Sequence, residues 1–422
     1  MYELVRYRYY QIIITMLAFI NSVAKLCIDK YNSMKKTGKP DNSEWTVLAG
    51  IILKNADNAM SVVSLATGTK CLSGVELTNT KFYEIGERLS DSHAEILARR
   101  GFLLYLYNQL DLLFSSNNNE VFIINTNKII EIRRGVSFHF FCSQTPCGDC
   151  SIIPMNITET SHQKVPTKKP KLASETTSIE TNSTLIEDIY RTGAKCLRTE
   201  TKQDLRLSGK EYHVTGALRT KPGRGDPTLS LSCSDKIAKR VAKWNAVGIQ
   251  GSLLSTFVLA PIRLKTIVIG GGCPFSQQVM ERGIYNRFGD DLAGPDIFQA
   301  DIKFSCMRNS VRSRPCPTSI VWSAVQNGNT QITVDGRKQG ATKSKRGNDL
   351  FVSRTSLLKK FLQTLDKSPF ANNVPSHPKK IFYYHYKQWR GCSSYQKEWK
   401  YLKATRFTAW PEKPMGLQSF SL

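Results

Sequence analysis

Three short stretches of this 422-residue chain carry side chains suited to metal-assisted hydrolysis. His93-Ala94-Glu95 opens an expected helix, and Pro146-Cys147-Gly148-Asp149-Cys150 follows an expected strand. Ser232-Cys233-Ser234-Asp235-Lys236 lies in a basic region. Imidazole nitrogen and thiolate sulfur suit Zn²⁺, and a catalytic zinc takes three protein ligands and leaves one position for water. Such an ion makes water a nucleophile near neutral pH, and a nearby carboxylate that is not a ligand can carry the proton. His-x-Glu followed by Pro-Cys-x-x-Cys is the pattern of zinc deaminases that act on nucleobases, with Glu95 as the proton carrier. By spacing alone the ligands are His93, Cys147 and Cys150. A closed zinc site that only braces the fold would use the same ligands, but it has no need of Glu95.

These groups require elements that bring them together. Residues 23–31 read as a helix, and 45–53 as a dense apolar run, either helix or buried strand. Residues 62–68, 136–142 and 262–269 read as strands. Asp91 or Ser92 is a suitable N-cap for a helix carrying Ile96, Leu97, Leu103, Leu104, Leu106 and Leu110 at mostly helical spacing. Cys147 is expected at the start of a further helix, whose dipole lowers a thiol pKa. The Gly- and Lys-rich stretch 327–348 reads as a loop. Residues 155–187 hold 11 Ser and Thr and the basic run Lys168-Lys169-Pro170-Lys171. They read as an exposed, disordered insertion in which the basic run is a candidate nuclear signal.

Composition narrows the class. With 41% hydrophobic and 22% charged residues the chain is globular. No uninterrupted apolar run approaches the ~20 residues that span a bilayer. Residues 12–20 come nearest, and the cleavage pattern for a signal peptide is poor. No membrane and no protein partner is expected, and residues 1–22 form an N-terminal extension of unclear role. The 11 scattered cysteines point to a reducing compartment. A net charge of +25 points to a polyanion, nucleic acid first. That charge is regional. Residues 190–245 hold 13 Lys and Arg against 5 Asp and Glu, and residues 337–413 hold 18 against 4.

At its chemistry-bearing residues the chain resembles the RNA-editing adenosine deaminases. The resemblance rests on Gly68-Thr69-Lys70-Cys71, Asp91-Ser92-His93-Ala94-Glu95, Arg99-Arg100, Thr145-Pro146-Cys147-Gly148-Asp149, Ser232-Cys233-Ser234-Asp235-Lys236, Trp244-Asn245 and Gly248-Ile249-Gln250-Gly251. It runs across most of the chain from residue 23. Tyr190-Arg191-Thr192-Gly193-Ala194-Lys195-Cys196 and Lys221-Pro222-Gly223-Arg224-Gly225-Asp226 resemble the tRNA-acting branch rather than the double-stranded-RNA editases.

The resemblance implies one cytidine-deaminase-like α/β domain over residues 23–422, interrupted by 155–187. Its mixed central sheet is flanked by helices, with helical additions at the C-terminal end. The implied reaction is hydrolytic deamination of adenosine to inosine in tRNA, at the adenosine 3′ of the anticodon of alanine tRNA. The resemblance moves the third zinc ligand from Cys150 to Cys233, so the set becomes His93, Cys147 and Cys233, with Glu95 moving protons. Lys70, Lys221 and Arg224 are the implied RNA contacts; a Gly/Pro turn that touches nothing is the other reading of 221–226. A second implied cofactor is inositol hexakisphosphate, held by Arg99, Arg100, Lys236, Lys243, Trp244, Ser252, Lys387, Tyr395, Trp410 and Lys413. The chain departs from the family here: extra residues, about one helical turn, separate Lys236 from Lys243, and a smaller excess separates Lys387 from Tyr395. Editing of structured mRNA and a catalytically silent RNA-binding relative are the alternatives. Nucleus and/or cytoplasm is the implied location.

Overall fold

The computed structural model describes every residue except 1, 82–83, 117, 156–186, 224–227, 242–247, 290–293, 326–328, 341–349 and 370–380. The expected insertion, with its basic run, therefore falls almost wholly outside the described residues.

The apolar run near residue 48 is a strand. In β1 (Leu48–Lys54) Leu48 and Ile52 enter one apolar cluster while Ala49, Ile51 and Leu53 enter another. That is the two-residue alternation of a strand buried on both faces. The remaining strands of its sheet are β2 (Met60–Thr67), β3 (Ser137–Cys142), β4 (Leu264–Gly271), β5 (Asp296–Lys303), β6 (Thr318–Ser323), β7 (Asn329–Val334) and β8 (Arg337–Lys338). They lie in the order β5-β4-β3-β1-β2-β6-β7-β8. The β3–β4 and β4–β5 pairs are parallel and the others antiparallel. The hairpin β7–β8 occupies part of the stretch expected as a loop. Thr330, Ile332 and Val334 alternate along β7 and pair with β6, and this outweighs the surrounding Gly and Lys.

Helices cover both faces, so the expected mixed sheet with flanking helices is the architecture. On one face lies α1 (Tyr2–Asn32), whose Ile20, Val23, Ala24, Cys27 and Tyr31 pack against Leu48, Ile52, Phe141 and Val268. Gly50 permits this approach, because a Cβ there would stand 2.6 Å from Cys27 Sγ. The helix is continuous through residues 22 and 23, so the expected boundary falls inside it. An 18-residue window within Arg6–Asn32 has a mean hydropathy of 1.8, and by length and composition alone this helix could cross a membrane, which no uninterrupted apolar run indicated. Its second half is packed into protein.

On the other face lies α2 (Ala94–Ser115), which buries Leu97, Ala98, Phe102, Tyr105 and Leu106 against β1 and β2. Beyond it pack α5 (Arg354–Lys367) and the short α6 (Tyr383–Gln388). The helices α3 (Cys233–Val241) and α7 (Ser393–Thr405) meet through a third cluster that includes Ala238, Phe288, Tyr395, Leu402 and Phe407. The remaining helix that matters for the site is α4 (Gln277–Ile284).

Candidate active site

Three elements deliver the side chains of the candidate metal cluster. His93 ends a short strand, Asp91–His93, paired with Thr69–Cys71, and is the N-cap of α2. Cys147 lies on the turn after β3. Cys233 is the first residue of α3. The helix-dipole argument made for Cys147 therefore applies to Cys233, while Cys147 precedes only the short turn Asp149–Ser151. Asp91, expected as an N-cap, is buried elsewhere in the network described below.

The ligand atoms of His93, Cys147 and Cys233 all lie within 4.8 Å of one another, the one such cluster among the described residues. His93 Nδ1 stands 3.8 Å from Cys147 Sγ and 3.6 Å from Cys233 Sγ. Tetrahedral zinc with usual Zn–N and Zn–S lengths puts nitrogen and sulfur about 3.6 Å apart. These residues therefore fit a single zinc ion. Cys150 is not among them. It is fully buried against Gly283, and burial pushes its thiol up to about 12.

Gly148 adopts a left-handed φ of +105°, and a Cβ there would lie 2.3 Å from Ser232 Oγ. Only glycine lets the two cysteine segments meet so closely. The Cys233 amide donates to Cys147 Sγ at 3.3 Å. The thiol of Cys147 is held well below its ordinary range, first by the hydrogen bond from Cys233 and, against burial, by His93 and Lys221. The thiol of Cys233 is raised, by burial first and then by Cys147.

Glu95 is two positions after His93, in the first turn of α2, and is buried. Its Oε2 has no hydrogen-bond partner among the described residues. An unpaired buried carboxylate oxygen is costly in a purely structural setting. Glu95 is also close enough to push the Cys233 thiol upward. A free carboxylate oxygen beside a metal cluster is what proton transfer to and from water and a base requires.

Asp91 connects this cluster to a second region. Lys221 Nζ donates to both of its oxygens, and Lys236 Nζ donates to Oδ2 at 2.5 Å. Burial alone would raise this carboxyl, but Lys221 and Lys236 outweigh it and hold it well below the usual range. Lys221, implied as an RNA contact, is thus corrected. It is 1% exposed, and its ammonium is paired with Asp91. Lys70 lies half-buried on the strand Thr69–Cys71, and Arg224 falls outside the described residues.

Lys236 also lines a cavity of about 350 Å³ between α2, α3, α6 and α7. Arg99, Arg100, Ser252, Lys387, Tyr395, Trp410 and Lys413 line it as the resemblance implied; Lys243 and Trp244 are outside the described residues. Five cations that sequence reasoning did not name also line it: Arg88, Lys239, Arg240, Arg354 and Lys403. The helix α3 runs on past Lys236 to Val241 and brings Lys239 and Arg240 to the wall. Lys239 Nζ sits 3.0 Å from the ring centroid of Trp399. Arg99 and Lys239 are pushed well below their usual ranges, by burial first and then by neighbouring cations. Lys413 is pushed down too, first by Arg354. Arg100 Nη2 and Arg240 Nη1 have no partner among the described residues. Cations so placed call for a polyanion.

A hydrolytic base deaminase needs a metal with an open position, a carboxylate free to move protons, and a sheet-and-helix frame to fix both. The frame, the His93, Cys147 and Cys233 cluster and Glu95 offer a place for each, which points to the class of the protein. Residues 64–414 match the family model of the adenosine-deaminase (editase) domain, and the chain belongs to that family. It is similar to tRNA-specific adenosine deaminase 1 of Macaca fascicularis, 32% identical over 95% of this chain and 99% of the relative. The tRNA-specific adenosine deaminase 1 of Drosophila melanogaster is 34% identical over 95% of this chain and 97% of its own. The double-stranded RNA-specific editase Adar of the same fly is 34% identical, but over 65% of this chain and 36% of that protein.

Proposed function

We propose that the protein is a zinc-dependent enzyme that deaminates adenosine to inosine in tRNA, at the adenosine 3′ of the anticodon of alanine tRNA. The observation that carries the chemistry is the unpartnered Oε2 of Glu95 beside the His93, Cys147 and Cys233 cluster. Zinc, when bound by those three residues, supplies the Lewis acidity that makes water a nucleophile at neutral pH. Glu95 takes the proton from the attacking water and delivers it to N1 of adenine. It then assists departure of ammonia as the C6–N bond breaks. The burial of Glu95 lets each transfer proceed with little competing solvent. An anticodon loop is already single-stranded, so presenting its base costs less than extruding one from a duplex. The tRNA reading is supported by near full-length similarity to the tRNA-specific relatives.

Lys70, next to the strand position of His93, and Arg224 are the side chains we assign to RNA. Inositol hexakisphosphate is the polyanion we assign to the cation-lined cavity. Its phosphates suit the unpaired guanidinium groups and the mutually repelling ammonium groups there.

The test is inosine formation on an alanine-tRNA anticodon stem-loop and on duplex RNA, with intact mass and metal analysis of the purified protein. The expected result is conversion of the stem-loop and one zinc per chain. Glu95→Gln should lose about 10²–10⁴-fold in rate while keeping its zinc. Conversion of the duplex alone overturns the tRNA reading, and full activity of Glu95→Gln overturns the proton-transfer role.

A further inference from the structure

Each cysteine of the cluster is followed two positions later by an aspartate with no exposed surface, Cys147 by Asp149 and Cys233 by Asp235. The two carboxylates are anchored in the same way. Asp149 accepts from the Gly216 amide at 2.8 Å on one oxygen and from Arg282 Nε at 2.9 Å on the other. Asp235 accepts from Arg287 Nη2 at 2.5 Å on one oxygen. Its other oxygen accepts from the Arg219 amide at 3.0 Å and the Ser232 hydroxyl at 2.6 Å. Both cysteine turns are therefore fastened to the same two places. One is the end of α4 with the turn Asn286–Phe288 that follows it, which carries both arginines. The other is the segment 216–219, which leads into the short strand Arg219–Thr220. Arg287 Nη1 donates to the Ala217 carbonyl at 3.1 Å and ties the two anchors together. Arg282 Nη2 donates to the Asp149 and Ile152 carbonyls and fixes the backbone of the first turn as well.

We propose that Arg282 and Arg287 are positioning residues that set the spacing of Cys147 and Cys233 before metal arrives. The proposal rests on the reading of this cluster as a zinc site. Fork-shaped donors fix direction, which a single ammonium does not. Partners outside the ligand set commonly orient metal ligands in this manner.

The test uses the full chain and reads metal binding rather than activity alone. Arg282 is partly exposed, so Arg282→Gln should fold, which circular dichroism checks. Its zinc affinity, measured by chelator competition, should fall by roughly 10–100-fold. The absorption bands of the cobalt-substituted protein should shift. The turnover rate should fall with KM for RNA unchanged, and Arg282→Lys should recover part of the affinity. Arg287→Gln should act in the same direction, and if it does not fold, Arg282→Gln decides alone. Zinc affinity within about twofold of the parent protein, with unshifted cobalt bands, overturns the proposal. A parent protein that binds no zinc instead overturns the metal reading on which it rests.

Discussion

Lys221 Nζ lies 2.8 Å from each carboxylate oxygen of Asp91, and neither side chain is more than 5% exposed. Against its burial, the lysine is held protonated by that carboxylate and then by Cys233, Cys147 and Cys71 nearby. Asp91→Asn strands a buried ammonium and should cost about 3–5 kcal/mol. The double variant Asp91→Asn/Lys221→Met removes both charges and should be markedly more stable than Asp91→Asn alone. Urea denaturation of the three proteins checks this, and a double variant no better than the single one would contradict it.

Cys150 and Cys233 make opposite predictions. Cys150→Ala should keep one metal per chain, since its thiol is buried beside α4 and outside the cluster. Cys233→Ala should lose it. Metal content by elemental analysis reads both, and loss of zinc in Cys150→Ala would return that residue to the ligand set.

The walls of the cation-lined cavity should show a reversal of sign. In protein stripped of polyphosphate, Lys239→Met removes an ammonium that repels its neighbours, so the thermal midpoint should rise. In protein saturated with inositol hexakisphosphate it removes a favourable contact, so the midpoint should fall relative to the parent. Scanning calorimetry in both states measures the difference. The same direction in both would show that the ammonium does not face the anion.

His139 yields a pH prediction away from the site. Its ring sits inside the sheet between Ser137 and Thr266, and burial lowers its pKa from 6.5 to about 4. The unfolded chain takes up this proton first as pH falls. Stability is therefore fully present above pH 6.5 and is lost between 6.5 and about 4. The amount is about 3 kcal/mol. Replacement by glutamine (His139→Gln) should flatten the stability profile across that window, which urea melts at several pH values would show.

Part of the candidate site and of the sheet could be read in advance because each leaves a local mark: motif spacing for His93 and Cys147, and apolar, β-branched runs for β2, β3 and β4, whereas the run that forms β1 suited a helix as well as a buried strand. The third ligand needed the family resemblance, since Cys150 satisfies the spacing as well as Cys233 does. Asp91 was legible only as a capping residue. The same side chain caps helices and binds lysines, and its partners lie 130 and 145 positions away. Lys221 resembled a surface residue because lysines are almost always exposed. Lys239, Arg240 and Arg354 were missed because cavity membership depends on how α3 and α5 are turned. Local sequence does not encode that.

The cavity is also a matter of timing. Arg99 and Arg100 leave the ribosome early, whereas Lys387, Trp410 and Lys413 emerge far later. During synthesis the early arginines wait without the opposite wall, so the cavity closes only once the segment that carries those later residues has been made.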